Sequence, residues 1–227
     1  MPNRFLILLI PLGLTIFAQP LVADGIVPAI INKILILLVL AGAFRIFEGD
    51  RKLLAAIVGL FLIAAIAIPV DRFTPGRIPL ILGVAAQVTA MTVTVMYIAR
   101  EALRDERVTR DTMLGVVAVY LLIGIGLAQV YELTETVYPG AFTNLVGSTE
   151  AQIHAELLYY SLVTLTTLGY GDIAPVLPLA RTLAVTEAIL GQFFVAAVIG
   201  LLISRQSAQL NAPKLSKAPP AIPTKGS

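Results

Sequence analysis

The run Thr166-Thr167-Leu168-Gly169-Tyr170-Gly171-Asp172 is the stretch whose residue types and spacing offer a definite chemistry. Gly169 and Gly171 stand at alternate positions. A left-handed backbone costs roughly 1–2 kcal/mol for an ordinary L-residue and almost nothing for glycine. A segment that alternates right- and left-handed residues turns its successive carbonyls to one side. Such a row of oxygens can replace the water shell of a cation without presenting a full negative charge. Other chemistry is thinly supplied. The chain has no cysteine, hence no disulfide, thiolate metal site or thiol nucleophile, and one histidine leaves little for metal or acid–base work.

The elements that must position this run are those of a membrane protein. Of 227 residues, 58% are hydrophobic and 13% charged, with a mean hydropathy of +0.90. Soluble domains carry about 25% charge, so the composition excludes a water-soluble globule, a disordered chain and a nucleic-acid binder. Sixteen basic and 14 acidic residues leave a net charge of +2, too near balance for a polyanionic partner. A bilayer core about 30 Å thick takes roughly 20 apolar helical residues. Six stretches meet that length: Phe5–Ala23, Ile26–Phe44, Leu53–Val70, Ile78–Ala99, Thr112–Tyr131 and Leu179–Ser204. A seventh, Ile153–Leu165, would reach only about 20 Å as a helix. It reads as re-entrant, which is tolerated only where protein or a water-filled cavity surrounds the backbone. Thr149 and Gln152 supply a T-x-x-Q capping box at its start.

Orientation follows from the basic residues. With both termini cytoplasmic, twelve Lys and Arg fall inside and three, Arg72, Arg77 and Arg181, outside. The outer segment from Glu132 to Asp172 has no Lys or Arg and carries Glu132, Glu135, Glu150, Glu156 and Asp172, which would concentrate cations nearby. A cleaved leader is a rival reading of the first span, through Arg4, the apolar run and Ala18 or Ala23. After Ser204 the chain is rich in Pro, Lys, Ala and Ser and reads as disordered.

The TTLGYGD run resembles the selectivity filter of the tetrameric potassium-channel superfamily. The resemblance extends over roughly Thr112–Ser204: an outer span, a short pore helix, the filter and an inner span. It implies an all-α integral membrane fold with six transmembrane helices, a re-entrant pore helix and a filter loop. It also implies a homotetramer, because one chain supplies one arc of each oxygen ring. The expected organisation is a four-span peripheral domain and linker over 1–111, a pore domain over 112–204 and a disordered cytoplasmic tail over 205–227. By the same resemblance K⁺ is held at Thr167, Leu168, Gly169 and Tyr170, with Gly171 completing the filter. The Thr167 hydroxyl serves the inner end, and Leu168 and Tyr170 point back into surrounding protein. Tyr159 and Tyr160 take the place of an aromatic pair bracing the filter, where many members have Trp, and Thr166 and Asp172 flank it. Some members carry a buried acid where this chain has Val163, so no carboxyl–carboxyl coupling to Asp172 is expected. The implied activity is passive conduction at the plasma membrane, without enzymatic chemistry, cofactor or nucleic acid.

Gly191 stands where the family's inner helix often has a hinge glycine; close packing against the pore helix is the other reading. Helical spacing then places Gln192, Val195 and Ile199 on the cavity side, with Gly200 near the inner mouth. Glu187, an acid inside a span, is either a hydrogen-bonding group behind the filter or a gating or proton-sensing group. Lys33 can snorkel to the headgroups, His154 reads as a surface residue, and Gln87 and Gln129 read as interhelical hydrogen-bonding groups. A voltage sensor needs arginines spaced by three inside the fourth span. Arg104, Arg107 and Arg110 have that spacing but lie beyond it, in a pattern suited to a solvated linker helix. The alternatives are therefore a voltage-gated channel with a degenerate sensor, or a polytopic transporter or enzyme, which needs a broken-helix repeat or a catalytic cluster.

Overall fold

A computed structural model describes residues 4–26, 38, 39, 42, 46, 47, 50–70, 78–104 and 108–211. The expected second span with Lys33, the residues Arg72, Arg77 and Arg107, and the tail from 212 onward lie outside these residues. The described chain is mostly helical: α1 (Arg4–Ala23), α2 (Arg51–Val70), α3 (Ile78–Ala102), α4 (Arg110–Val137), β1 (Phe142–Thr143), α5 (Glu150–Leu165), β2 (Ala174–Pro175) and α6 (Pro178–Asn211). Among the described residues four helices are long and apolar enough to cross a membrane, at Arg4–Ala23, Ile81–Ala102, Arg110–Val137 and Pro178–Ala208.

Helix ends follow local chemistry. Thr109 caps α4, its hydroxyl accepting from Thr112 N while Thr112 Oγ1 accepts from Thr109 N, both at 3.2 Å. This cap corrects the expectation of a linker helix through Arg104–Arg110. Arg104 lies beyond the end of α3 and Arg110 opens α4, because the cap starts a new helix there. At the other extreme α6 runs past Ser204, where a disordered tail was expected to begin, to Asn211. Arg205 fastens this extension by donating to the Leu103 carbonyl at 3.0 Å. Neighbouring Arg4 meets Glu101 at 2.7 Å and Asp111 at 3.4 Å, tying α1 to α3 and α4.

Phe5, Leu8 and Leu12 of α1 form a core with Ile57, Ala90, Ile98, Ala118, Val119 and Leu122. A second core, with Tyr131, Phe142 and Tyr160 at its centre, lies under the α4–α5 connection. These three rings meet edge-on, with centroids 5.1–5.4 Å apart, the arrangement aromatic quadrupoles favour. A two-residue antiparallel ladder, pairing Phe142 with Pro175 and Thr143 with Ala174, joins the chain before α5 to the chain after it. Sequence periodicity gave no sign of it, since two residues are too few to alternate.

Candidate functional site

Helix α5 has 16 residues and spans about 24 Å, too little to cross a bilayer core. Its start is the expected capping box: Thr149 Oγ1 accepts from Gln152 N, and Gln152 Oε1 accepts from Thr149 N, both at 3.2 Å. Glu156 steadies the approach by accepting from Gly147 N at 3.0 Å and from Val146 N. His154 Nδ1 lies 2.8 Å from Glu132 Oε2, linking α5 to α4. At the far end Thr166 caps α5, donating its N–H and hydroxyl to the Leu162 carbonyl.

Directly beyond that cap the backbone changes hand at every second residue. Thr167 has φ +58°, Gly169 +58° and Gly171 +79°, with Leu168 and Tyr170 on the ordinary side between them. The glycines were legible for this role; Thr167 was not. A β-branched residue at positive φ is a true outlier. It is held there by two hydrogen bonds, its N–H donating to Thr164 O at 2.9 Å and its hydroxyl accepting from Gln192 Nε2 at 2.8 Å. Leu168 N donates to Val163 O at 2.9 Å.

The carbonyls of Thr167, Leu168, Gly169, Tyr170 and Gly171 accept no hydrogen bond among the described residues. On an exposed run, five consecutive open acceptors are free to bond a partner from outside the chain. The same run is exposed throughout, including the side chains of Leu168 (56%) and Tyr170 (66%).

After the run, Asp172 is fixed from three sides. Tyr159 Oη donates to its Oδ2 at 2.6 Å, Ile173 N donates to its Oδ1 at 3.0 Å, and Asn144 Nδ2 donates to its carbonyl at 2.7 Å. Asn144 itself has φ +62°, a conformation asparagine tolerates better than most residues. The Tyr159 hydrogen bond, with smaller help from backbone N–H groups, holds the Asp172 carboxyl below the ordinary aspartate range. The adjacent tyrosines thus part company, with Tyr159 on Asp172 and Tyr160 buried against Tyr131 and Phe142. A depressed folded-state value means the bond is present above the ordinary aspartate pKa and is lost as pH falls through the lowered one. Tyr159→Phe should therefore move the acid-induced loss of function to higher pH, measurable as a shift in the acid limb of the activity profile. An unchanged limb would remove Asp172 as its origin.

Behind the run, α5 is wedged between α4 and α6. Tyr120 Oη donates to the Leu165 carbonyl at 2.9 Å, and Ser161 Oγ lies 2.7 Å from the Gly124 carbonyl oxygen. Gly191 of α6 lies directly against the Leu165 backbone, where a Cβ would overlap the carbonyl oxygen. Gly124 makes room for Leu162, 2.8 Å from where its own Cβ would be. Sequence reasoning missed Tyr120, Tyr131 and Ser161. Their signal was a hydroxyl inside an apolar span, which must find an acceptor. Val195 and Ile199 are exposed in the single chain, and Gly200 has no other atom within 4 Å of its Cβ position. Gln87 and Gln129 line a cavity of about 750 Å³ between α3, α4 and α6. Among the described residues no group of three or more His, Cys, Asp or Glu could hold a metal ion.

Comparison with known proteins bears on the same stretch. A family model described as an ion channel matches residues 133–207. The chain is similar to Two pore potassium channel c of Oryza sativa subsp. japonica, 38% identical over 66 residues, which is 29% of this chain and 14% of the rice protein. It is also similar to Protein LctB of Bacillus caldotenax, 27% identical over 121 residues, 52% of this chain and 89% of that protein. The chain thus spans only a small part of the rice relative and most of the Bacillus one.

Proposed function

We propose that the protein is a K⁺-selective channel conducting passively through a homotetrameric pore, a reading supported by the match of residues 133–207 to an ion-channel family model. The observation that carries this reading is the row of five open carbonyls, Thr167–Gly171, on a backbone that alternates hand. Oxygens in a membrane environment need a partner, and a weakly hydrated monovalent cation is the partner such a row fits. The name of the rice relative, a two pore potassium channel, agrees with K⁺ as the ion. One chain covers one arc of each ring, and its exposed Leu168 and Tyr170 give neighbouring chains a surface to pack against. In this reading α5 is the pore helix, α4 the outer helix and α6 the inner helix. Thr167, Leu168, Gly169 and Tyr170 hold K⁺, and Gly171 completes the filter. Tyr159, Tyr160, Thr166 and Asp172 support it.

The reading assigns Gly191 to close packing rather than to a hinge, because its α-carbon abuts the Leu165 backbone. Gln192 supports Thr167 directly, while Val195, Ile199 and Gly200 face the axis. The location that follows is the plasma membrane, with six spans and both termini cytoplasmic.

Vesicles bearing the protein, loaded with K⁺ and diluted into Na⁺ with a protonophore to carry H⁺ in as the compensating charge, should lose K⁺ rapidly, whereas Na⁺-loaded vesicles diluted into K⁺ under the same conditions should retain Na⁺. Equal loss of both ions contradicts selectivity, and retention of both contradicts conduction. Gating by voltage should be shallow. One charge crossing the whole field is worth about 2.3 kcal/mol per 100 mV, and steep gating needs several per chain. The charges of α3 are Arg100 and Glu101 in its last turn, and Glu101 is paired to Arg4. Open probability fitted against voltage should give a gating charge well below several units. A steep curve flattened by changing Arg104, Arg107 and Arg110 to Gln would restore the voltage-gated alternative.

A further inference from the structure

Glu187 lies in α6 one turn before Gly191 and is wholly buried, 0% exposed. Its Oε2 accepts from Tyr131 Oη at 2.5 Å, and its Oε1 is 2.5 Å from Ser161 Oγ. Ser161 Oγ is in turn 2.7 Å from the Gly124 carbonyl oxygen. A serine hydroxyl carries one hydrogen, and Ser161 stands at bonding distance from two oxygens. If its proton goes to Glu187, Ser161 Oγ and the Gly124 oxygen face each other with no proton between them. If it goes to Gly124, which can only accept, then the proton between Ser161 and Glu187 must come from the carboxyl. Only the second arrangement gives every close oxygen pair a proton.

The surroundings favour the same arrangement. The titratable groups facing Glu187 are Tyr120 and Tyr131 of α4 and Tyr160 of α5. Among the described residues no Lys or Arg is paired with it. A buried carboxylate without a cation is costly, and a neutral acid with both oxygens bonded is not.

We propose that Glu187 is a neutral carboxylic acid that donates to Ser161, which donates to the Gly124 carbonyl, and that this relay positions the filter. Tyr131 closes the other carboxyl oxygen, so one side chain of α6 fastens α5 to α4 at two points. The bonds lie within two turns of Thr166, so they fix the height and rotation at which α5 delivers the carbonyl row. Glu187 touches no ion; it is a positioning residue, and the second half of the proposal rests on the conducting role of that row.

Two measurements on the full-length protein in vesicles test it. In infrared spectra at neutral pH, the wild type minus Glu187→Gln difference should show the carbonyl stretch of a protonated carboxyl, displaced in Ser161→Ala. Loss of carboxylate bands alone overturns the neutral relay. In planar bilayers Glu187→Gln should keep the wild-type K⁺/Na⁺ permeability ratio, since an amide can donate to Ser161 and accept from Tyr131. Glu187→Ala and Ser161→Ala should lower that ratio about tenfold, the scale of one or two lost hydrogen bonds. Glu187→Gln as impaired as Glu187→Ala, or unable to assemble, overturns the proposal, as does an unaltered Ser161→Ala. The infrared band does not depend on conduction. A protein that shows the band but passes no ions would sink the channel reading and leave the protonated relay standing.

Discussion

Gly169→Ala is expected to abolish K⁺ selectivity while leaving the chain inserted and assembled. Within the chain no atom lies within 4 Å of the position its new Cβ would take, so the effect is conformational rather than steric. At φ +58° an alanine costs roughly 1–2 kcal/mol more than glycine. The inexpensive way to relieve that cost is for the residue to return to negative φ. That rotation swings the adjoining peptide, and with it a carbonyl, out of the row. In the proposed ring of four chains the defect would recur four times at one level, opening the oxygen cage there on all sides. Reversal potential under K⁺ and Na⁺ gradients reads the loss, and oligomer size in mild detergent shows that the chain still assembles. A mutant with the wild-type reversal potential would contradict the assignment of Thr167–Gly171 as the filter.

The second large effect should come from Gly191→Ala, for a different reason. Here the Cβ would overlap the Leu165 carbonyl oxygen, a backbone atom that cannot rotate away. The same carbonyl accepts from Tyr120 Oη at 2.9 Å, so displacing it strains two contacts. Overpacking of a side chain typically costs about 1–3 kcal/mol, and a backbone clash lies at the upper end. Either α6 and α5 separate or the last turn of α5 distorts, and both displace Thr166 and everything after it. Conduction should be lost and thermal stability lowered. Gly59→Ala in α2, with no atom within 4 Å of its Cβ position, is the control and should leave conduction unchanged. A Gly191→Ala protein that conducts normally would show that α5 and α6 are not pressed together there.

Much of this was readable from sequence because the signals were local. Two glycines two residues apart, a Thr-x-x-Gln box and a helix too short to cross are each contained within a few residues, and each stands where expected. What escaped was set by partners far along the chain. Thr167 adopts positive φ with Gln192 supporting it across 25 residues, and nothing near Thr167 announces that. Ser161 and Tyr131 are polar residues in apolar helices whose shared partner, the Glu187 carboxyl group, only the fold reveals. His154 meets Glu132 only because α5 folds back beside α4. Arg104, Arg107 and Arg110, alternating with Asp105, Glu106 and Asp111, make a pattern that suits a solvated linker helix. The Thr109 cap shows why spacing alone misleads: a capping box begins a new helix whatever the charges around it.

The most direct test of the account is the reversal potential of the purified protein in a planar bilayer, with K⁺ on one side and Na⁺ on the other at equal concentration. If Thr167–Gly171 form the proposed K⁺ filter, the current reverses far from zero, in the direction that opposes K⁺ flow. Currents reversing near zero would show that the pore does not distinguish the two cations, and would contradict the account.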